Sequence, residues 1–510
     1  KCGLTLVKSD DGGDAFVNVA ASAHSDHHDV WIDPADSRHL RTATDGGLYE
    51  SFDGGLTVRF FANLPLSQFY HVTTDDAVPF RVYGGLQDNG SWRGPSNAPG
   101  GISNGDWEFV GGGDGFHVLV DPAESEVVYW ESQGGSVNRT DRRTNESKSI
   151  VPVVDSTSDK LRFNWNTPIV RGRSGRLYVG SQYLHRSTDR GDSWTRLSAD
   201  LTTNDPAKLR QEESGGLTVD NSSAENHCTI LTIAESPLRS SIVWVGTDDG
   251  NVQRTTDDGQ TWTNVTPRAD VVPAGYAITG IEASQHDASV VYVTVDGHMV
   301  GDQRPYVLRS ADLGATWQPL KMTGVSGYAH VVREDPVRSD LLYLGTENGL
   351  WISLDRGATW AAFRNNLAPV AVRDLAVHRR DHALAIATHG RGIAVIDNLD
   401  VLRSIDPASI TDDLTILPPR PAIRTLAGGG ARWFGGDESF YGETTTSVAR
   451  VWYVLRDRHM RGPFTITIKD SAGNVIRTQP ASTRKGLNSV DLALRMPAPL
   501  TGASDVSLTF

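Results

Sequence analysis

Residues Ser353–Trp360 read SLDRGATW, and five other stretches repeat the pattern: Ser9–Phe16 (SDDGGDAF), Ser51–Val58 (SFDGGLTV), Ser187–Trp194 (STDRGDSW), Thr255–Trp262 (TTDDGQTW) and Ser310–Trp317 (SADLGATW). Each carries a hydroxyl residue, an Asp two positions on, a Gly two after that, and an apolar or aromatic residue at the eighth position. These are the ingredients of a turn. The carboxylate accepts hydrogen bonds from backbone N–H groups of its own loop, and the Gly supplies a left-handed position at no steric cost. The terminal Trp opens the next strand and offers a large apolar body to a neighbouring unit. Six copies along one chain imply equivalent supersecondary units in a stack or ring. The repeated Asp side chains are consumed by their own turns and are read as staples, not catalysts.

Outward from these turns, a longer template recurs. It runs strand, Asp-Pro turn, strand, Gly turn, strand, and then the Ser/Thr-x-Asp-x-Gly turn. The clearest copies are HHDVWIDPADSRHLRTATDGGLYESFDGG (27–55) and HVVREDPVRSDLLYLGTENGLWISLDRG (330–357), with others at 116–141 and 228–259. The stretch at 372–397 follows the template without its last turn, and degenerate copies cover 70–92 and 168–194. Short strands at regular spacing with turn punctuation predict an all-β chain, and four strands per unit predict β-propeller blades. About eight blades and part of another are expected over 1–398. One ring holds roughly four to eight blades, so parts of two propellers are expected. The first turn lies so near Lys1 that it is read as the end of a unit whose earlier strands are missing. After Asp397 the template stops. A linker is expected over 399–419 and an immunoglobulin- or fibronectin-like β-sandwich over 420–510, its strands at 448–457, 462–479 and 486–496, with a last one cut short at 506–510.

The bulk numbers exclude some partners. The 510 residues carry 48 Lys and Arg against 62 Asp and Glu, a net charge of −14. No basic stripe is present to displace counterions from a nucleic acid. No apolar run approaches the ~18 residues of a membrane span. Cys2 and Cys228 are the only cysteines, too few for a disulfide scaffold, and their pairing cannot be read from spacing.

In a four-stranded blade the turn between the second and third strands lies opposite the Asp-containing turn. Here it is repeatedly polar: Thr44-Asp45-Gly46-Gly47, Gln87-Asp88-Asn89-Gly90, Thr247-Asp248-Asp249-Gly250, Asp296-Gly297-His298, Thr346-Glu347-Asn348-Gly349 and Thr388-His389-Gly390-Arg391. These turns converge on one mouth of a ring or on a cleft between rings. Two carboxyl groups across such a mouth serve as acid and base on a glycosidic bond, and the candidates are Asp45 with Asp248 or Glu347. The alternative is that Asp-Gly and Asn-Gly are simply favoured hairpin turns. Asp88, Trp92, Asp114, His389 and Arg391 are candidate ligand-binding residues, and Trp165 and Trp351 either stack on sugars or pack between blades. His24, Asp26 and His28 share one face if they lie on a strand, and imidazole with carboxylate suits a divalent ion such as zinc. The alternative there is a polar entry to a strand or a hydrogen-bonded cluster. Neither a P-loop, nor a Gly-x-Ser-x-Gly elbow, nor a dinucleotide fingerprint occurs.

The eight-residue turn resembles the Asp-box, or BNR repeat, of sialidases, sortilins and two-propeller xyloglucanases. The stretches HSDHHDVWIDP (24–34), GGLQDNGSW (84–92), GGGDGFHV (111–118), FNWNTPI (163–169), SPLRSSIVWVGTDDG (236–250), RPYVLRSADLGATW (304–317) and ATHGRGIAVID (387–397) resemble bacterial sortilin-like, BNR-repeat glycosyl-hydrolase-type proteins. The resemblance implies a secreted, extracellular or periplasmic protein that binds or cleaves a polysaccharide or other glycan, with no cofactor required apart from the candidate divalent ion. It also implies a second reading, a non-enzymatic propeller that binds proteins or peptides. The acidic residues of the xyloglucanases lie in a similar Thr-Asp-x-Gly-Gly turn, matched best by Asp45. A sialidase needs three arginines around a carboxylate, and beyond Arg41 and Arg391 no spacing identifies them.

Overall fold

All six eight-residue turns close in the same way in the computed structural model. The structure describes residues 2–153, 160–213, 224, 226–406, 412–422, 436–444 and 448–493. In the copy at 353–360 the Ser353 hydroxyl donates to Asp355 at 2.8 Å and accepts from the Gly357 N–H at 2.8 Å, while Asp355 accepts from the Thr359 N–H at 2.8 Å. The same three bonds recur around Asp11, Asp53, Asp189, Asp257 and Asp312. The residue before the Gly is also left-handed, as at Arg190 (φ 63°) and Leu313 (φ 60°). The carboxylate bonds outweigh that local cost.

Each turn joins the last two strands of an antiparallel sheet. Among the described residues, four-stranded sheets occupy 27–60, 73–111, 115–149, 169–196, 230–264, 277–319 and 329–363, a three-stranded sheet occupies 372–396, and a two-stranded unit occupies 6–19. The sheets from 73–111 to 372–396 form a ring of seven, numbered here blades one to seven. Their first strands touch in succession and the first strand of blade seven touches that of blade one. Each of the seven junctions has its own apolar cluster. Tyr83 and Val110 of blade one meet Val118 and Val128 of blade two, and Tyr343 and Leu350 of blade six meet Val372 and Leu384 of blade seven. Closure is made by Ala383, Ala385 and Ala387 of blade seven against Phe69, Phe80 and Val82, with the Phe69 N–H donating to the Thr388 carbonyl at 3.0 Å. The small alanines let the last blade approach the first closely.

A second staple runs through the ring. In three blades the Asp of the turn between the first two strands, followed by Pro at Asp121 and Asp335 and by Asp76 at Asp75, caps its own turn and accepts a hydrogen bond from a buried Tyr eight residues on: Tyr83 to Asp75 (2.8 Å), Tyr129 to Asp121 (3.1 Å) and Tyr343 to Asp335 (2.9 Å). It ties the first strand to the second with a charge-assisted bond inside the core.

The sheet at 27–60 stands outside the ring. It carries the 6–19 unit on one side, through Ala20 N–H to the Gly55 carbonyl and His27 N–H to the Gly3 carbonyl. Beyond the ring, the stretch expected as a linker holds a short helix, Asp400–Ser404, and a strand, Leu414–Ile416. Arg403 fastens that helix to Asp335 of blade six at 2.9 Å. The strand joins Val448–Leu455 and Gly486–Ala493 in one sheet, which packs on the hairpin Thr465–Lys469 and Val475–Pro480 through Val451, Tyr453, Val490, Phe464 and Ile466. The chain is thus all-β propeller blades followed by a β-sandwich. The strands expected at 494–496 and 506–510 lie outside the described residues. Cys2 and Cys228 are free thiols. Among the described residues no helix is long and apolar enough to cross a membrane.

Candidate functional site

The turns between second and third strands, together with the connections from one blade to the next, line one face of the ring. The outlying blade meets that face at its own equivalent turn. Asp45, at the tip of that turn, offers its backbone carbonyl to the Asn89 amide at 3.1 Å, and His24 Nε2 lies 3.1 Å from the Asp88 carbonyl. The junction brings three carboxyl groups together. Asp88 is within hydrogen-bonding reach of both Asp45 and Asp114, and its N–H donates to Asp114 Oδ1 at 3.0 Å. Burial first, and then these two neighbours, push the Asp88 carboxyl up to about 6. Asp88 itself sits in the left-handed region, φ 60°, where a non-glycine residue is held by its surroundings.

Aromatic rings build the rest of the wall. Trp165 donates from Nε1 to Asp114 Oδ2 at 3.2 Å and packs edge-on to Phe116 and Tyr70. Tyr70 donates to Gln87 at 2.7 Å, and burial pushes its phenol up to about 12. Beneath them Glu131 is fully buried and burial pushes its carboxyl well up. It accepts from the Thr167 N–H at 3.2 Å and so anchors the segment that carries Trp165.

The residues expected as catalytic separate. Asp45 is in the junction, but neither Asp248 nor Glu347 is its partner. Asp248 accepts from the Thr229 N–H (2.9 Å), the Thr229 hydroxyl (2.5 Å) and the Asn164 amide (3.2 Å), and burial pushes its pKa up. It organises the entry to the fourth blade. Glu347 lies 2.9 Å from His330 Nε2, and that contact holds its carboxyl at about 2. A group so acidic has no proton to give near neutrality. Asp88 and Asp114, expected as ligand contacts, are the ones that join Asp45.

Of the other candidates, Trp92 donates to the Asn89 carbonyl at 2.6 Å and packs on Phe109 and the closure cluster. Trp351 is buried, with its Nε1 3.2 Å from Thr346 Oγ1. Both are packing residues. His389 lies edge-on to Tyr70 and 2.7 Å from the Gln68 amide; burial lowers its pKa to about 4. The Arg391 side chain is exposed, and the backbone of its turn clamps the Ser67 carbonyl through Gly390 and Gly392.

His24, Asp26 and His28 do not share a face, because the strand begins only at His27. His24 turns to Asp88, Asp26 accepts from Ser25 at 2.9 Å, and His28 Nε2 lies 2.5 Å from Asp45 Oδ1. Among the described residues no group of three or more His, Cys, Asp or Glu side chains is arranged to hold a metal ion.

Parts of the chain are similar to xyloglucanases. Over 193 residues, 36% of this chain, it is 24% identical to a probable oligoxyloglucan-reducing end-specific xyloglucanase of Neosartorya fischeri. It is 32% identical to xyloglucanase Xgh74A of Acetivibrio thermocellus over 133 residues and 33% identical to a xyloglucanase of Hypocrea jecorina over 141, each 24% of this chain. The matched stretches span only 22%, 16% and 16% of those proteins' lengths. No protein-family model matches the chain. Among solved structures, YCF48 from Cyanidioschyzon merolae aligns at a TM-score of 0.37 and 15% identity, covering 64% of this chain and 94% of that one.

Tyr70, Glu131 and Asn164 are not among the candidate site residues expected from sequence, and Gln87 appears there only as part of its polar turn. Tyr70 lies in a degenerate unit, and Glu131 and Asn164 lie in the stretches 116–141 and 163–169 without any sign of a role. Only the placement of one blade against the next reveals them.

Proposed function

We propose that the chain is a polysaccharide-active propeller protein of the glycoside-hydrolase type, with its site at the junction of the outlying blade and the ring. The observation that carries this reading is Asp88, pushed up to about 6 beside Asp45 and Asp114. A carboxylic acid that keeps its proton close to neutrality is the proton donor a glycosidic oxygen needs, and Asp45, on the opposing blade, is the second carboxyl group. The similarity to xyloglucanases supports a plant-type polysaccharide as substrate, and a polymeric substrate puts the protein outside the cytoplasm, extracellular or periplasmic.

The test is release of reducing ends from xyloglucan and a polysaccharide panel. Asp88→Asn and Asp45→Asn are each expected to lower release by about 10²–10⁴-fold, with an unchanged melting temperature. The rate should fall as pH rises through about 6, where Asp88 loses its proton. Release by either variant at the parent's rate overturns the assignment.

One observation favours the second reading, a binding module without chemistry. Asp45 and Asp88 are within hydrogen-bonding reach, closer than the roughly 5–9.5 Å between carboxyl groups in glycosidases. Retention on a polysaccharide without release selects a lectin-like module. Neither retention nor release selects a protein- or peptide-binding propeller.

A further inference from the structure

A cleft of about 720 Å³ opens on the same face, between blades two, three and four. Its walls come from the turn at Gly134, the segment Lys160–Phe163 that links blades two and three, Tyr183, and the connection from blade three to blade four, including Asp200, Asn204, Lys208 and His227. That volume is in the range of small-ligand sites. Its charge runs against the rest of the molecule, which carries −14 overall. Arg162 is neutralised by Asp200 at 2.7 Å, and His227 lies 3.6 Å from Asp248. The ammonium groups of Lys160 and Lys208 have no ion-pair partner among the described residues, which leaves the cleft with two unpaired cations.

The cleft adjoins the junction site, and Gly134 in its wall donates its N–H to the Trp165 carbonyl at 3.1 Å. Phe163 lines it, and Trp165, two residues on, donates to Asp114. An extended segment advances about 3.3 Å per residue, so the two places are neighbours along one surface. The walls also present the amides of Asn204 and Asn226, the latter donating to the Phe163 carbonyl at 2.8 Å. Amides suit hydroxyl-rich ligands, and an ammonium group recognises an anion as a point charge.

We propose that this cleft is a subsite for the carboxylate of a uronic acid residue, so that the polysaccharide recognised on this face is an acidic one. The proposal rests on the polysaccharide reading of the junction. A nucleic acid fits less well, because the cleft offers two lysines and no basic stripe to follow a phosphate backbone.

Binding to the full chain is measured by affinity electrophoresis at low ionic strength in the Asp88→Asn background, so that turnover plays no part. The probes are polygalacturonate, the same polymer after carboxyl reduction, and a single-stranded DNA. Polygalacturonate is expected to retard the protein. Carboxyl reduction, or the double change Lys160→Met with Lys208→Met, should each weaken retention about tenfold. Lys160→Glu with Lys208→Glu should abolish it. Both lysines are exposed, and a melting curve for each variant checks that the fold persists. Equal retention by native and carboxyl-reduced polymer overturns the proposal. So does a Lys160/Lys208 Met variant that binds as well as its parent, or tighter binding to DNA than to polygalacturonate. Loss of hydrolysis alone leaves it standing.

Discussion

Blade six and the outlying blade are two copies of one template with different fates. Residue by residue, His330 corresponds to His28, Asp335 to Asp33, Tyr343 to Arg41, Glu347 to Asp45, Trp351 to Tyr49 and Asp355 to Asp53. Two sets of hydrogen bonds are shared by the blades. His330 pairs with Glu347 as His28 pairs with Asp45, and both closing turns make the same three bonds. Burial differs. Every residue of Leu342–Thr346 and Gly349–Ser353 is buried, whereas Trp31, Ile32 and Phe60 of the outlying blade are 46%, 51% and 45% exposed. The template encodes a blade. Neighbours on both sides convert its faces into core. The comparison also reinterprets the site: a His beside Asp45 is a blade-level pairing, and what distinguishes the junction is Asp88 and Asp114 arriving from the ring.

Breaking the buried staple should separate the two copies most. Asp335 accepts from the Tyr343 hydroxyl at 2.9 Å, the Val337 N–H at 2.9 Å and Arg403 Nη2 at 2.9 Å, all within the core. Asp335→Ala leaves the buried Arg403 guanidinium with only the longer contact to Asp400, at 3.3 Å. A loss of about 3–5 kcal/mol is expected from denaturant unfolding. Asp33→Ala, with Arg41 where blade six has Tyr343 and its carboxylate partly in solvent, should shift the unfolding curve far less. Equal losses would mean that the outlying blade is as tightly locked as the ring.

The wedge residue should give the next largest contrast. Trp194, Trp262 and Trp317 each reach back to the preceding blade, donating to the carbonyls of Ile150 (2.8 Å), Leu197 (3.0 Å) and Val265 (2.7 Å). Trp317→Ala removes both the bond and the apolar body packed against Trp244 and its cluster, for an expected loss of about 2–4 kcal/mol by denaturant titration. Phe16, the corresponding residue of the 6–19 unit, is 55% exposed. Phe16→Ala should leave stability nearly unchanged.

Much of the fold was legible because its signals are local. A turn that satisfies its own hydrogen bonds, as at Asp355, is written in eight consecutive residues, and blade boundaries follow from it. The Tyr-to-Asp staple was equally local, at a spacing of eight, but only Tyr83, Tyr129 and Tyr343 share it with an acid in the same blade; Tyr178 reaches across to Glu235 of the next. The site was legible in part. Asp45 and the polar turns follow from the alternation of hairpins between two faces. Which carboxyl groups meet does not, because partnership between Asp45 and Asp88 depends on how the outlying blade docks, and no periodicity reports that. Sequence spacing also misplaced His24 and Asp26, since the two-residue alternation applies only once the strand has begun.

The smallest effects should show where the two regions are alike. Hydrogen bonds from the Thr57 N–H and hydroxyl hold Asp53 at about 2, and those from the Thr316 hydroxyl and N–H hold Asp312 at about 2. Both groups are acidified relative to the unfolded value of 3.8. Their contribution to stability is therefore complete above about 4 and disappears as pH falls toward 2. Asp53→Ala and Asp312→Ala should each lower the melting temperature slightly at pH 7 and by similar amounts, and each should flatten the same acid limb of the stability profile. The bonds that Asp53 and Asp312 make all lie within their own eight-residue turns, so a neighbouring blade adds nothing to them. If Asp312→Ala proved much the costlier, the turn would be borrowing stability from the adjacent blade, and the division between what the template supplies and what packing supplies would fail at its simplest point.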